Sequence, residues 1–374
     1  MDPFHAALIN GISSHVFEYD DTLPKNYIHP SPPVASVLFA HASAHCVHGR
    51  DFLHAFLLGF ETEARIGNAV YPAHYEAGWH ITSTTGVFGA AAAIGKLLGL
   101  GTQQMIWALG LAATQAAGLR EMFGYMAKSF HAGRAAQNGY ASAVLAQSGF
   151  TAGERSIEGP RGFAPVTAAT YDLSQVTQRL GSDFQIRYNA YKPYPCGLVV
   201  HPAIDACIDL YREHHPGPDA IKSVRVRVAP LVIDLCNKKD ITRGLEGKYS
   251  IYHSSAVGLT RGKAGLQEYT DEAVNDPVVR SVRERVTAVA DSSITEDQAH
   301  VEVELADGRK LVRFIEQSLG NVHRPLSDKH LEEKLRDQSI PLLGAAQVEK
   351  LIGLCWKIDQ LDDVGDIIKA TVRS

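Results

Sequence analysis

The stretch Lys128-Ser129-Phe130-His131-Ala132-Gly133-Arg134-Ala135-Ala136 sets cationic and titratable groups beside residues too small to cover them. A helix starting near Ala132 would bring Lys128 and His131 to its N-terminus, where unpaired amides and the helix dipole favour an anion. The competing reading makes Lys128 a solvated surface residue and His131 a cap. Four other segments also place histidine or lysine among small or turn-forming residues. In the first, Glu18-Tyr19-Asp20-Asp21-Thr22 runs on to Ile28-His29-Pro30-Ser31-Pro32-Pro33, where prolines fix the backbone around His29. Its acids also suit a solvated helix end. The second is Gly78-Trp79-His80-Ile81-Thr82-Ser83-Thr84-Thr85-Gly86, a turn whose hydroxyls and amides suit carboxylate oxygens, with a buried, satisfied His80 as the alternative. The third, Tyr191-Lys192-Pro193-Tyr194-Pro195-Cys196-Gly197 followed by His201, reads as a rigid linker, a ligand-binding junction, or both. The fourth is Lys248-Tyr249-Ser250-Ile251-Tyr252-His253-Ser254-Ser255-Ala256.

Lysines and histidines dominate these segments, and that composition binds anions and moves protons. Lysine near other cations loses basicity, and histidine titrates near neutrality unaided. Removing a proton beside a carboxylate needs such a base, and cations to hold the developing enolate-like charge. Other chemistries find less support. Ser250 and Ser254 flank no GxSxG elbow, and no GxGxxG follows a strand. Asp and His around residues 20 to 29 hint at a metal, but no second dense ligand pair at helical spacing accompanies them, so none is assigned.

These groups need a scaffold, and 374 residues suffice for two domains. With 45% hydrophobic and 21% charged residues the whole chain should fold. A net charge of -5 leaves no broad basic surface for nucleic acid. No apolar run reaches membrane-spanning length and no basic-then-apolar leader opens the chain. Five scattered cysteines without a CxxC pair fit a reducing compartment, so a cytoplasmic protein is expected. From 34 to about 150 the spacing predicts a helical layer: Asp51 caps one helix, a small-residue helix runs from Gly86 to Leu98, Thr102 caps another, and a further one runs from Ala132 to about Gly149. Beyond Asp205, alternation at Val224, Val226 and Val228 predicts a strand. Val301 to Leu305 and Leu311 to Phe314 predict a hairpin about Asp307-Gly308. Ser327 then caps C-terminal helices that pack back on the first layer.

Taken in order, Tyr19-Asp20-Asp21-Thr22 to His29-Pro30-Ser31, Gly78-Trp79-His80 with Gly86-Val87-Phe88-Gly89-Ala90, Lys128 to Gly133, and Lys192-Pro193-Tyr194-Pro195-Cys196 with His201 resemble the MmgE/PrpD family over nearly the whole chain. That family includes 2-methylcitrate dehydratase, cis-aconitate decarboxylase and iminodisuccinate epimerase. The resemblance implies a mainly α fold: a large all-helical domain, here 1–195 with 325–374, and a smaller α/β lid domain at 196–324. It also implies a homodimer and an active site between the domains that takes a small polycarboxylate without metal or organic cofactor. Matched by motif, the site residues fall on Thr22, His29, His80, Lys128 and Lys192. His80 and Lys192 are expected as acid/base groups, with Lys128, His29 and Thr22 as carboxylate binders.

Two departures add residues to that set. Glu18 stands where decarboxylase-type members carry aspartate, and His253 where they carry tyrosine. We therefore expect His80, Lys192 and His253 to be catalytic, and Glu18, Thr22, His29, Lys128 and His131 to bind substrate. The chain also starts where relatives have several helices behind them, which leads us to expect a shortened helical domain with altered dimerisation. The function expected is a cofactor-independent, dehydratase-like lyase for 2-methylcitrate or a related alkylcitrate. The alternatives are an epimerase, isomerase or decarboxylase on the same fold, or a non-catalytic remnant.

Overall fold

The computed structural model describes residues 1–373. The chain forms two compact units, one of Met1–Val16, Asp20–Ala190 and the residues from Ser327 onward, the other of Phe17–Tyr19 and Tyr191–Leu326. The second unit thus begins at Tyr191 rather than at 196, and it takes in Glu18. Tyr19 donates its hydroxyl to the Pro193 carbonyl and Lys192 donates to that of Glu18, so the early tripeptide folds with the later segment.

In the first unit the central helix, Ile81–Leu97, is buried on every side from Ile81 to Gly95. Its sequence dictates this: glycine, alanine and threonine let neighbours approach on all faces, and the helices Ser31–Ala42, Gly49–Val70, Thr102–Ala113 and Ala127–Gln147 do so. It starts at Ile81, not Gly86, so Thr82 to Thr85 form its first turns instead of a polar loop. The next helix after Thr102–Ala113 likewise starts earlier than Ala132, at Ala127, which puts Lys128 inside its first turn. His48 and Gly101, rather than Asp51 and Thr102, occupy the two intervening N-cap positions. Ser327 caps as expected, accepting from the His330 amide. Leu351, Val364, Ile367 and Ala370 of the C-terminal segment join Val34, Leu38, Ala90 and Ile94 in one apolar core.

One helix crossing is unusually close. The helix Pro3–His15 lies against Ala127–Gln147 with backbones touching: a Cβ built on Gly11 would sit 2.5 Å from the Gly133 Cα, and one on Gly133 would sit 2.4 Å from the Leu8 carbonyl oxygen. Neither backbone can yield as a side chain would. Gly133→Ala is therefore expected to cost about 1–3 kcal/mol, read as a lower urea midpoint with unchanged slope.

The second unit holds a four-stranded sheet in the order Val286–Ala290, Ile221–Val228, Ala299–Leu305, Lys310–Ile315. The last three in that order are antiparallel neighbours, with Val224 opposite Val303, and they close on the expected hairpin, where Gly308 adopts φ 87°. The edge strand Val286–Ala290 pairs in parallel and has no counterpart among the expected strands, because V-T-A-V-A shows no clean alternation. The helices His201–His214 and Ile251–Arg261 pack together, the first also against the hairpin strands.

Candidate active site

Along Pro3–His15 the buried residues are Ala7, Gly11 and His15, a stripe with a spacing of four. The glycine crossing brings the end of that stripe to Lys128, whose Nζ lies 3.0 Å from His15 Nε2. On the other side of the ring, His15 Nδ1 lies 2.7 Å from Asp20 Oδ2, and His29 Nδ1 approaches the same oxygen at 3.2 Å. His29 Nδ1 is also 2.8 Å from the Asp21 carbonyl. Carboxylate and carbonyl oxygens only accept, so Nδ1 carries the proton on both rings. His15 Nε2 is then left to accept from the Lys128 ammonium. Burial alone would raise the Asp20 carboxyl, but its interactions with His15 and His29 outweigh it and hold the group well below the usual range.

His80 closes this cluster. It is the N-cap of Ile81–Leu97, its amide donating to the Gly118 carbonyl, and its ring stacks on that of His15 at 5.9 Å. Its Nδ1 lies 2.9 Å from Nδ1 of His131. Gly118 has φ 129°, and a Cβ there would strike the Ser83 side chain at 2.9 Å and the His131 ring at 3.3 Å. The hydroxyls of the first helical turns are consumed in positioning: Thr82 Oγ1 accepts from the His29 amide, Ser83 donates to the His131 carbonyl, and Thr84 meets His74 Nε2. Burial first, then Lys128, His15, His131 and His29, push His80 well below the normal histidine range. Burial, then His15 and Lys128, bring His131 to about 4.

The second unit holds a separate group. Lys192, fully buried, sits 3.7 Å from Glu18 Oε2, and Tyr249 donates its hydroxyl to Glu18 Oε1 at 2.7 Å. Lys248 donates to the Phe17 carbonyl. Glu18 adopts φ 55°, a left-handed conformation that is costly for a residue with a side chain and that tends to persist at functional positions. Burial pushes the nearby Cys196 thiol up to about 11, which makes it inert as a nucleophile.

Of the residues chosen from sequence, His29, His80, Lys128 and His131 come together in the first unit, with the buried Thr22 beside Asp21 in a short strand. Glu18 and Lys192 come together in the second. His253 is placed differently: it is buried, Nε2 donates to the Glu268 carbonyl at 2.7 Å, its amide is capped by Ser250, and its ring edges Tyr269. Burial holds it neutral, with a pKa near 4, and its Nδ1 is buried without a hydrogen-bond partner. The phenol that meets Glu18 is Tyr249, four residues earlier. His15, Asp20, Lys248 and Tyr249 were missing from the expected set. Only the Ala7, Gly11, His15 stripe could have revealed the first of them.

His15, Asp20 and His29 also form a trio whose ligand atoms lie within 4.8 Å of one another. Their Nδ1 atoms are committed to Asp20 and to a carbonyl, and an ammonium adjoins His15, so the donor set suits a proton relay better than a cation. A different acid lies deeper. Glu63 is buried without hydrogen bonds to either carboxyl oxygen, and burial with the Asp21 charge raises it well above the usual range, so it is held protonated.

Neutral buried histidines make acid stability predictable. His41, His74, His131 and His253 all sit near 4 in the fold, against about 6.5 when unfolded. Between those values the unfolded chain binds more protons, so stability falls as pH drops from about 6.5 to about 4. Each fully excluded proton contributes up to about 1.4 kcal/mol per pH unit. Urea midpoints measured across that window should decline steeply; a flat profile would contradict the burial of these rings.

A helical unit carrying a buried lysine and histidine cluster, and a mixed α/β unit with its own lysine, glutamate and tyrosine, define a two-unit protein equipped for acid–base chemistry without a nucleophile elbow or dinucleotide fold. Residues 1–175 match the MmgE/PrpD N-terminal domain and residues 194–358 the MmgE/PrpD C-terminal domain, and the chain belongs to the MmgE/PrpD family. It is 26% identical to the cis-aconitate decarboxylase of Aspergillus terreus, over 99% of this chain and 81% of that protein. It is 26% identical to the cis-aconitate decarboxylase of Homo sapiens, over 97% of this chain and 78% of that protein. It is also 22% identical to a probable 2-methylcitrate dehydratase of Saccharomyces cerevisiae, over 92% of this chain and 70% of that protein. Among the described residues no helix is long and apolar enough to cross a membrane.

Proposed function

We propose that this protein is a cofactor-independent lyase for a small di- or tricarboxylate, and that it dehydrates 2-methylcitrate or a related alkylcitrate. The observation that carries the reading is the buried cluster of Lys128, His15, His29, His80 and His131, in which Asp20 faces His15 and His29. Such a cluster favours an anion and can accept a proton from carbon beside a carboxylate. In the reaction, His80 or Lys192 takes that proton and its electron pair forms the C=C bond. The hydroxyl leaves as water, with a proton from the other group or from the same group in its acid form. Lys128, His29 and Thr22 hold carboxylates. The protein works as a homodimer in the cytoplasm and needs no metal.

Decarboxylation is the second reading, favoured by the several relatives named for it and by the Tyr249 phenol on Glu18. There the C–C bond breaks, carbon dioxide leaves, and the carbanion takes a proton. Incubation with 2-methylcitrate, citrate, other alkylcitrates and cis-aconitate, before and after chelator dialysis, separates the readings. A new conjugated double bond supports dehydration and carbon dioxide release supports decarboxylation. Deuterium entry without either would move the assignment to an epimerase. No turnover of any of them would overturn the proposal.

A further inference from the structure

The Nδ1 atoms of His80 and His131 face each other at 2.9 Å. Two imidazole nitrogens can bond only if one holds a proton and the other a lone pair, so the pair shares a single proton. Each ring's other nitrogen must then take the opposite state in the neutral pair. When the shared proton rests on His80, its Nε2 carries a lone pair and is a base. When it rests on His131, Nε2 of a neutral His80 carries a proton and is an acid.

The two rings are not equivalent in their surroundings. His80 is enclosed by Lys128, His15, His29 and the edge of Phe123, with Asp20 behind His15 and His29. His131 instead lines a cavity of about 690 Å³ together with Trp79, Ser83, Met122 and Arg134. Phe130 and Leu119, both about half exposed, stand at its margin, so the space reaches the surface. Its wall is largely apolar, but Ser83, Gln115, Arg134 and Asn138 offer hydrogen-bond partners to water that enters from the surface.

Resting on the function proposed above, we infer that His131 is a positioning and proton-transfer residue: it exchanges the His80 proton with water in this cavity, and so resets His80 between base and acid. The steps balance. His80 Nε2 takes a proton from substrate carbon; its Nδ1 proton passes to His131 Nδ1; His131 releases its Nε2 proton to cavity water. His80 is then neutral with a proton on Nε2, ready to deliver it to the leaving group or to carbon. As Nε2 delivers its proton, the shared proton returns from His131 to Nδ1 of His80 and cavity water protonates His131 at Nε2, so both rings stay neutral and the starting state is restored. This role differs from the carboxylate binding expected of His131 from sequence.

The test uses the full-length protein and two variants. His131→Asn keeps a hydrogen-bonding group beside His80 but cannot relay a proton, and His131→Ala opens the position to the cavity. Both should lose about 10- to 100-fold in kcat with KM changed less than about twofold, and imidazole buffer should restore the alanine variant in proportion to its concentration. Unchanged kcat with a raised KM would assign His131 to substrate binding and overturn the inference, as would a loss that imidazole leaves untouched. If the parent protein turns over no polycarboxylate, the functional reading falls separately. Nitrogen-15 spectra of the labelled rings then decide: one protonated and one bare Nδ1, exchanging with solvent faster in the parent than in His131→Asn, supports the relay. Equal exchange overturns it.

Discussion

Lys192→Met is expected to lower kcat/KM by about 10²- to 10⁴-fold, the usual contribution of a positioned acid or base. Lys192 is among the largest fully buried side chains of the chain, 3.7 Å from Glu18 Oε2, and its Nζ donates to the Glu18 carbonyl at 3.3 Å. Methionine keeps the apolar stem but removes every donor. Glu18 then retains the Tyr249 hydroxyl and can take up a proton, so melting should show a folded protein of reduced stability. Lys192→Arg separates the roles. Arginine keeps the charge but does not deprotonate, so a general acid/base at this position leaves it as inactive as methionine, whereas a carboxylate binder leaves it partly active. Activity within tenfold of the parent in Lys192→Met would remove this residue from the mechanism.

Asp20→Asn should have an effect of similar size, about 10²- to 10³-fold in kcat, by a different route. One Asp20 oxygen accepts from His15 Nδ1, which fixes that ring's tautomer, and lies 3.2 Å from His29 Nδ1, whose proton the Asp21 carbonyl takes. If the amide oxygen takes that place, the His15 bond survives but the charge that supports an imidazolium is gone. If the amide nitrogen does, a donor faces a donor and His15 must move its proton to Nε2, while the Asp21 carbonyl keeps the His29 proton on Nδ1. His15 would then no longer accept from Lys128. Steady-state rates between pH 5 and 8 measure the loss. An unchanged profile with full activity would show that the relay is idle.

The segments that placed lysine and histidine among small residues or prolines were readable because such neighbours leave few other uses for a charged group. His29, His80 and Lys128 meet in space for that reason. The hairpin and the cap at Ser327 were equally plain, since alternation and turn chemistry are local signals. The starts of the central helices were not. Thr82 to Thr85 carry turn-forming side chains, and burial among four helices overrides that preference. His15 could not be assigned from its neighbours because its partners lie on other elements, Asp20 across a turn and Lys128 far along the chain. Tyr249 and His253 lie four residues apart in one segment, and spacing alone did not say that the phenol would meet Glu18 while the imidazole turned toward Glu268.

The Gly11 and Gly133 crossing also sets an order of events. His15 and Lys128 are 113 residues apart, so this part of the cluster is closed by one of the longer loops the helical unit must form. Closing such a loop costs entropy before any contact repays it. During synthesis the first helix can meet Ser31–Ala42 early, but its Gly11 crossing and the His15 contact with Lys128 must wait until the chain beyond residue 127 has emerged. The relay therefore comes into being late in folding. Its activity would report on completion of the helical unit more faithfully than helix content, which local segments reach early.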